Sequence, residues 1–341
     1  MIKKKINFHT ESTKLFRENH SVADYVQKWG HFTSVALLDP SCHIFHCPEA
    51  NGIIGYKVKA GCAIVFGDPV CAQMNVEQLI NRFHDYCYRS VKNIVHVSAS
   101  QQFVTWGLQH KYRTAISIGN EIILDPSFDP KERKGFDASN LRNKCNQAKR
   151  LNIIIKEHLT DDPHIERDIE NVARSWLQGR KGLQIYLLQI DLFAHRSNKR
   201  WFYAQQNDEI IGVLMLNKLD SYQGWYLNML MTTQTAPPIT SEVLVLSALD
   251  ALRLERCNFV TIGTLASSAL ETVIGLSHAA TWFAKNTFKL ITTLFKLHSR
   301  QWYWKKFQPQ TAPSFLLGSN QGIGIREIVG IMGSLNAGRP S

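Results

Sequence analysis

A few stretches of this sequence place chemistry-bearing side chains where a turn or a helix end would present them. "AGCAIVFGDPV", residues 60 to 70, is a hydrophobic run that stops at Gly67-Asp68-Pro69. A small residue, a carboxylate and a proline of fixed φ form either an ordinary turn or a loop that presents a site; for Asp68, turn formation is the first reading. Near the other end, "WYWKKFQP" carries Lys305 and Lys306. Their ammonium groups suit a fixed cation that neutralises phosphate or a developing oxyanion, Lys306 before Lys305, or a solvated lysine pair at a helix end. Arg142, in "LRNKCNQAKRLN", has a guanidinium that forks onto phosphate oxygens, or lies on a solvated helix face. Glu242 opens "SEVLVLSALDAL", where a carboxylate complements the helix dipole. His278 and His298 qualify as bases by residue type alone.

Two further motifs carry weaker signals. "CHIFHC" holds Cys42, His43, His46 and Cys47, but its alternation with Ile44 and Phe45 equally describes a strand. No second ligand group follows at zinc-finger spacing, so no metal is expected. "QGIGIRE" offers Gln321, Gly322 and Gly324 to cradle a CoA pyrophosphate, yet places Arg326 where a small residue is needed.

Elements must hold these groups in place. "TSVALLD", "HIFHC" and "GIIGYKVKAGCAIVFG" read as strands, and "NVEQLINRFHDYCYRSVK" reads as an amphipathic helix before the strand "NIVHVSAS". A short helix around "QQFVTWGLQH" and strands in "TAISIGNEIILD" follow. In "DASNLRNKCNQAKRLN", Asp137 or Ser139 is placed to cap a helix with Leu141, Cys145 and Ala148 on one face and a basic set, Arg142, Lys144, Lys149 and Arg150, around it. The second part repeats the order: helix "HIERDIENVARSWLQG", strands "RWFYAQQNDEIIGVLMLNKL" turning at Asn207-Asp208, strand "GWYLNMLMTT", helix "ITSEVLVLSALDALRLERC", strand "FVTIGTLA". The expected class is α/β (α+β): tandem GNAT-like acyltransferase folds, mixed sheets flanked by helices, in domains 1–150 and 151–341.

Composition narrows the partners. The 341 residues carry 39 Lys+Arg against 28 Asp+Glu, a net charge of +11 that favours a polyanion. From Thr272 to Arg326 there is no Asp or Glu, and Lys285, Lys289, Lys296 and Arg300 share one face of a basic amphipathic helix at about 276–306. Phe283, Leu290, Ile291, Leu294 and Leu297 lie mostly on the other side. Such a helix suits anionic lipid or a nucleic-acid backbone, or simply packs with a solvated lysine face. Seven cysteines without a CxxC pair, and a basic start lacking a signal-length apolar run, suit a cytoplasmic protein, with a peripheral place at the membrane surface.

"AIVFGDPV", "LRNKCNQAKRLNIIIKE" and "WYWKKFQPQTAPSFLL" occur in the order seen in the catalytic C-terminal domain of phosphatidylglycerol lysyltransferases, and the sequence resembles that domain from roughly residue 30 to 320. Trp176 and the "IGTLA" strand, with Gly263, fit between them. The resemblance implies tandem GNAT-like folds that move an aminoacyl group from a charged tRNA to a lipid hydroxyl, with no cofactor and without the family's membrane flippase domain. It places Lys306, with Phe307 and Pro309, at the transfer site. It matches Gly67, Asp68 and Pro69 to a Gly-Asp-Pro turn, and Arg142 with Asn146 to a Leu-Arg-x-x-x-Asn-x-Ala helix. Lys305, Arg300 and Glu242 join the expected substrate-binding set. Lipid-modifying members resemble an Asp-x-x-Arg pattern after the hairpin; here Asn228 and Met231 stand there, and an amide is no base while methionine grips no phosphate. An acyl-CoA-dependent N-acyltransferase and a non-catalytic module for anionic membrane or RNA are the alternative readings.

Overall fold

In the computed structural model, residues 12–17, 21–88, 90–179, 192–294, 299–319 and 323–335 are described, apart from the side chains at 291, 294 and 299–301. Helix α1 (Val22–Trp29) starts on Ser21, whose Oγ accepts from the Asp24 amide, and leads into a short 3-10 segment, Phe32–Leu38, not the strand that "TSVALLD" suggests: residues 32–37 are all buried, so the run has no polar face to mark its period. An antiparallel meander follows: β1 (His43–Cys47), β2 (Gly52–Lys59) and β3 (Cys62–Phe66). Helix α2 (Val76–Cys87) buries Val76, Leu79, Ile80, Phe83 and Cys87 on one stripe and returns the chain to β4 (Asn93–Ser100), parallel to β3. Helix α3 (Gln101–Gln109) and β5 (Thr114–Leu124) complete this unit, and α4 (Phe136–Arg150) leaves it. That helix begins at Phe136 behind Gly135, with neither Asp137 nor Ser139 as its cap.

The same order recurs. After β6 (Ile154–His158) and α5 (Pro163–Gln178, capped by Asp162) come antiparallel β7 (Lys199–Gln206), β8 (Glu209–Leu219) and β9 (Gly224–Thr232). Asn207 and Asp208 both take positive φ, 49° and 65°, as a two-residue hairpin loop requires. Helix α6 (Thr240–Leu254) then leads to β10 (Val260–Ala266), which pairs parallel to β9 only at Val260 and Thr261 before the two part. Two meanders, each closed by a helix and a parallel strand, give the tandem GNAT-like class expected from the sequence. Beyond them lie β11 (Val273–Ile274), α7 (His278–Leu294), α8 (Ser299–Lys305), β12 (Gln310–Gly318) and α9 (Ile325–Ser334).

One mixed sheet joins everything, in the order β1-β2-β3-β4-β12-β5-β10-β9-β8-β7-β6, with β11 beside β5. Strand β12 comes from the far end of the chain and pairs antiparallel with both β4 and β5. We propose residues 1–150 and 151–341 as two repeats in sequence that share strands across their boundary. The basic span 276–306 is carried by α7 and α8, with 295–298, and so Lys296, Leu297 and His298, outside the described residues. Lys285 and Lys289 are exposed as expected. Leu290, placed by the sequence on the packed side, is exposed too, because α7 turns Ala284 and Phe288 inward.

The Gly67-Asp68-Pro69 turn is held from several directions. Gly67 has φ +73°, its amide donates to the Val97 carbonyl at 2.9 Å, and its carbonyl accepts from His96 Nδ1 at 2.7 Å. The Tyr112 hydroxyl donates to His96 Nε2 at 2.6 Å, and burial pushes the His96 imidazole down to about 3, so the ring stays neutral. A Cβ at Gly67 would collide with Thr33 Oγ1, whereas one at Gly61, with nearly the same φ of +74°, would meet nothing. Gly61→Ala is therefore expected to cost about 1 kcal/mol from backbone strain alone, and Gly67→Ala about 2–4 kcal/mol with the collision added. Denaturant unfolding of both variants measures the difference; equal losses would mean that Thr33 does not press on the turn.

Candidate active site around a shared carboxylate

The predicted Lys306 and Glu242 meet. Glu242 lies in the first turn of α6 and is 3% exposed, and its Oε1 accepts from Lys306 Nζ and from Lys144 Nζ, each at 2.6 Å. Its other oxygen accepts from Ser241 Oγ at 3.1 Å. Burial alone would raise the Glu242 carboxyl, but the hydrogen bonds from the two lysines outweigh it and hold the group below the usual carboxylate range. Lys306 Nζ also sits 4.1 Å from the centre of the Tyr303 ring, a cation–π contact.

Packing fixes each partner. Lys306 lies between Trp304 and Phe307, both buried in the core cluster that holds Leu141 of α4 and Val243 of α6. Lys144 is three residues after Leu141 and four before Ala148, both inward-facing, so helical spacing turns it toward α6. One carboxylate between two ammonium groups leaves a fixed net positive charge, partly open to solvent, with side chains 14% exposed at Lys306 and 21% at Lys144.

The other expected site residues are dispersed. Arg142 is exposed on α4 and its Nη1 donates to the Lys131 carbonyl; Asn146 is exposed on the same helix. Lys305 is exposed with Nζ 5.3 Å from the Trp302 ring centre. The side chain of Arg300 lies outside the described residues. Asn228 Nδ2 donates to Asn217 Oδ1 at 3.1 Å, and Met231 is fully buried with Ile169, Val172 and Trp201, so the departure at 228 and 231 leaves an amide pair and a core methionine. His278 opens α7.

The "CHIFHC" side chains do not converge: Cys42 Sγ donates to the Tyr56 carbonyl, Cys47 Sγ to Glu49, and His46 Nε2 lies 3.4 Å from the Tyr25 hydroxyl. Among the described residues no group of His, Cys, Asp and Glu is arranged to hold a metal. At "QGIGIRE", Gln321 and Gly322 lie outside the described residues, and the N-terminus of α9 is closed by its own Glu327, whose Oε2 accepts from the Gly324 amide at 2.8 Å. That carboxylate occupies the place an anion would take.

Asp68 belongs to a second cluster, which its neighbours in sequence do not disclose. Its Oδ1 accepts from the Ser100 amide at 2.9 Å; burial raises its carboxyl, the charge of His31 opposes that, and the charge of Glu121 adds to it. His31 Nε2 lies 3.1 Å from Glu121 Oε2, and the His31 ring lies 5.5 Å from that of Tyr222. Near this cluster is a cavity of about 290 Å³ lined by apolar groups, among them Phe66, Val97, Ile116, Leu270 and Phe288, with Thr33 and Thr264 on its wall. No helix among the described residues is long and apolar enough to cross a membrane.

The repeated meander, helix and parallel strand define a tandem GNAT-like fold class. Residues 24–318 match the family described as phosphatidylglycerol lysyltransferase, C-terminal, and the chain belongs to it. A phosphatidylglycerol lysyltransferase of Staphylococcus epidermidis is 22% identical over 319 residues, covering 86% of this chain and 34% of that protein. The chain thus spans about a third of the length of the curated relatives it matches. In fold, a C-terminal DUF2156 domain from Agrobacterium fabrum superposes with a TM-score of 0.75 at 16% identity, covering 93% of this chain and 97% of that one. L-PGS from Bacillus licheniformis gives 0.73 at 13% identity, covering 92% and 96%.

A depressed carboxyl contributes stability that is fully present above its unfolded-state pKa and is lost as pH falls through the folded one. Glu242→Gln is expected to lower stability by about 2 kcal/mol at neutral pH, less than for a wholly buried pair because both lysines reach solvent. The gap between the parent and Glu242→Gln should close as pH falls below the usual carboxylate range. Chemical denaturation across pH measures this; a gap that persists unchanged in acid would show that the carboxylate charge is not what holds the cluster.

Proposed function

We propose that this chain carries the transfer step of an aminoacyltransferase: an aminoacyl group moves from the ester of a charged tRNA to a hydroxyl of an anionic, phosphatidylglycerol-like lipid. The observation that carries this reading is the pair of lysines fixed on Glu242, within a chain of this family. The ester is already activated, so neither metal nor nucleotide is required. The acceptor oxygen attacks the ester carbonyl, the new acyl–oxygen bond forms, the bond to the ribose oxygen breaks, and the acceptor proton ends on that ribose oxygen. Lys306, held by Glu242 as a positive charge, is suited to stabilise the tetrahedral oxyanion or a substrate phosphate beside it. The apolar cavity suits lipid hydrocarbon, and the exposed Lys285, Lys289 and Lys305 suit the two polyanionic substrates and an anionic membrane surface. Asn228 and Met231 offer neither base nor phosphate grip, so lysine is not assigned as the amino acid.

Incubation of the protein with radiolabelled aminoacyl-tRNA and phosphatidylglycerol vesicles tests the reading. Label is expected in the lipid extract with at least one aminoacyl-tRNA, and Lys306→Ala is expected to lower kcat/KM about 100-fold. No labelled lipid with any aminoacyl-tRNA contradicts the proposal; vesicle binding that then survives Lys306→Ala supports a non-catalytic membrane module instead.

A further inference from the structure

Four segments far apart in the chain bring unusual groups together. His31 precedes the Phe32–Leu38 segment, Asp68 follows β3, Glu121 lies within β5, and Tyr222 ends the turn between β8 and β9. His31 and Glu121 are 7% and 9% exposed and share one contact, Nε2 to Oε2. Their remaining polar atoms, His31 Nδ1 and Glu121 Oε1, are fully buried without a hydrogen-bond partner among the described residues, as is Thr33 Oγ1 two positions on. Buried polar atoms are rarely left so, because each forfeits its hydration without recompense.

The carboxylate sets the chemical character of the free atoms. Glu121 Oε1 only accepts, while the Thr33 hydroxyl can accept or donate. Asp68 adds a second carboxylate; burial pushes the Tyr222 phenol up, and the fields of Asp68 and Glu121 add to it. No Lys or Arg ion pair to Asp68 or Glu121 occurs among the described residues, in a chain of net charge +11. A cluster of acceptors with surplus negative charge takes a multi-donor cation, and a primary ammonium, with its several N–H donors, is the compact group that fits. The Tyr222 ring, 38% exposed and stacked on Phe259 at 4.8 Å, offers an aromatic face at the solvent side.

We propose that His31, Glu121 and Asp68 form a subsite for a primary ammonium group, that of the aminoacyl donor; this rests on the transfer reading above. Its position suits that role. Glu121 stands directly across β5 and β10 from Thr264, and Thr264 and Thr33 line the apolar cavity. The ammonium subsite and the cavity thus share a border, where an aminoacyl carbonyl and a lipid hydroxyl would meet.

The test uses the full chain, with its histidine rings isotopically labelled, and alanine methyl ester as the probe. The ester is expected to shift the His31 ring signals saturably, N-acetylalanine methyl ester is expected to leave them unmoved, and n-butylamine is expected to bind at least tenfold more weakly than the ester. Glu121→Gln and Asp68→Asn, each checked for native folding by circular dichroism, should weaken the ester at least tenfold; if one fails to fold, the other decides. Equal binding of the acetylated ester, or unchanged affinity in the folded variants, overturns the subsite, and n-butylamine binding as tightly as the ester overturns its assignment to the donor. Ester binding through Glu121 with no lipid labelling by the parent removes the transfer reading and leaves an amine site. Undiminished labelling by the folded variants removes the subsite and leaves the transfer reading.

Discussion

A buried carboxylate cannot stand alone. Glu242 sits in the first turn of α6, where the helix dipole favours it but desolvation does not, and the two lysines that satisfy it come from α4 and from the end of α8. That requirement draws together three parts of the chain separated by about a hundred residues and by 64 residues, respectively. It also fixes the position of Lys306 from which β12 departs, four positions before the strand begins at Gln310. A lysine at a solvated helix end would sweep a wide volume, whereas this one is anchored at its head by Glu242 and flanked by buried aromatic residues. The proposed transfer step would use preorganised charge of this kind to stabilise a developing oxyanion without reorganisation.

The second constraint is the strand exchange. Because β12 lies between β4 and β5, the first repeat depends on residues 310–318 for a continuous sheet. β5 then pairs with β10 and connects the repeats, so that Glu121 and Thr264 face each other across the junction. Strand β10 leaves β9 after Thr261, and its pairing with β5 is irregular between Thr261 and Gly263, where Gly263, at φ +84°, lies against the Phe32 and Tyr226 rings. The polar cluster of His31, Asp68 and Glu121, all from the first repeat, therefore lies on the seam, where Tyr222 and Thr264 of the second repeat meet it.

The meanders, their closing helices and the Asn207-Asp208 hairpin were legible in the sequence because alternation, helical periodicity and turn chemistry are local signals. The motif around Lys306 was legible too, but its contact with Glu242 was not, since the two lie 64 residues apart. Lys144 carried a readable signal that residue type obscured: as one of several basic residues on α4 it looked solvated, yet its spacing from Leu141 and Ala148 points inward. The place of β12 was not legible, since nothing in "TAPSFLLG" records that its partners lie about two hundred residues earlier. His31 and Glu121 were invisible for the same reason: a lone histidine and a lone strand glutamate acquire meaning only when the sheet brings them to 3.1 Å. Asp68 shapes its turn through Ser100, as the sequence suggests, and also faces the seam, which the sequence does not disclose.

Transfer to a membrane lipid leaves a product that can be weighed. Mass spectrometry of total lipids from cells with and without this protein tests it most directly, because no donor or amino acid need be assumed. An anionic glycerophospholipid carrying an added aminoacyl mass, present only when the protein is present and lost with Lys306→Ala, is the predicted result. Identical lipid profiles in cells that contain folded protein and in cells that lack it would contradict it.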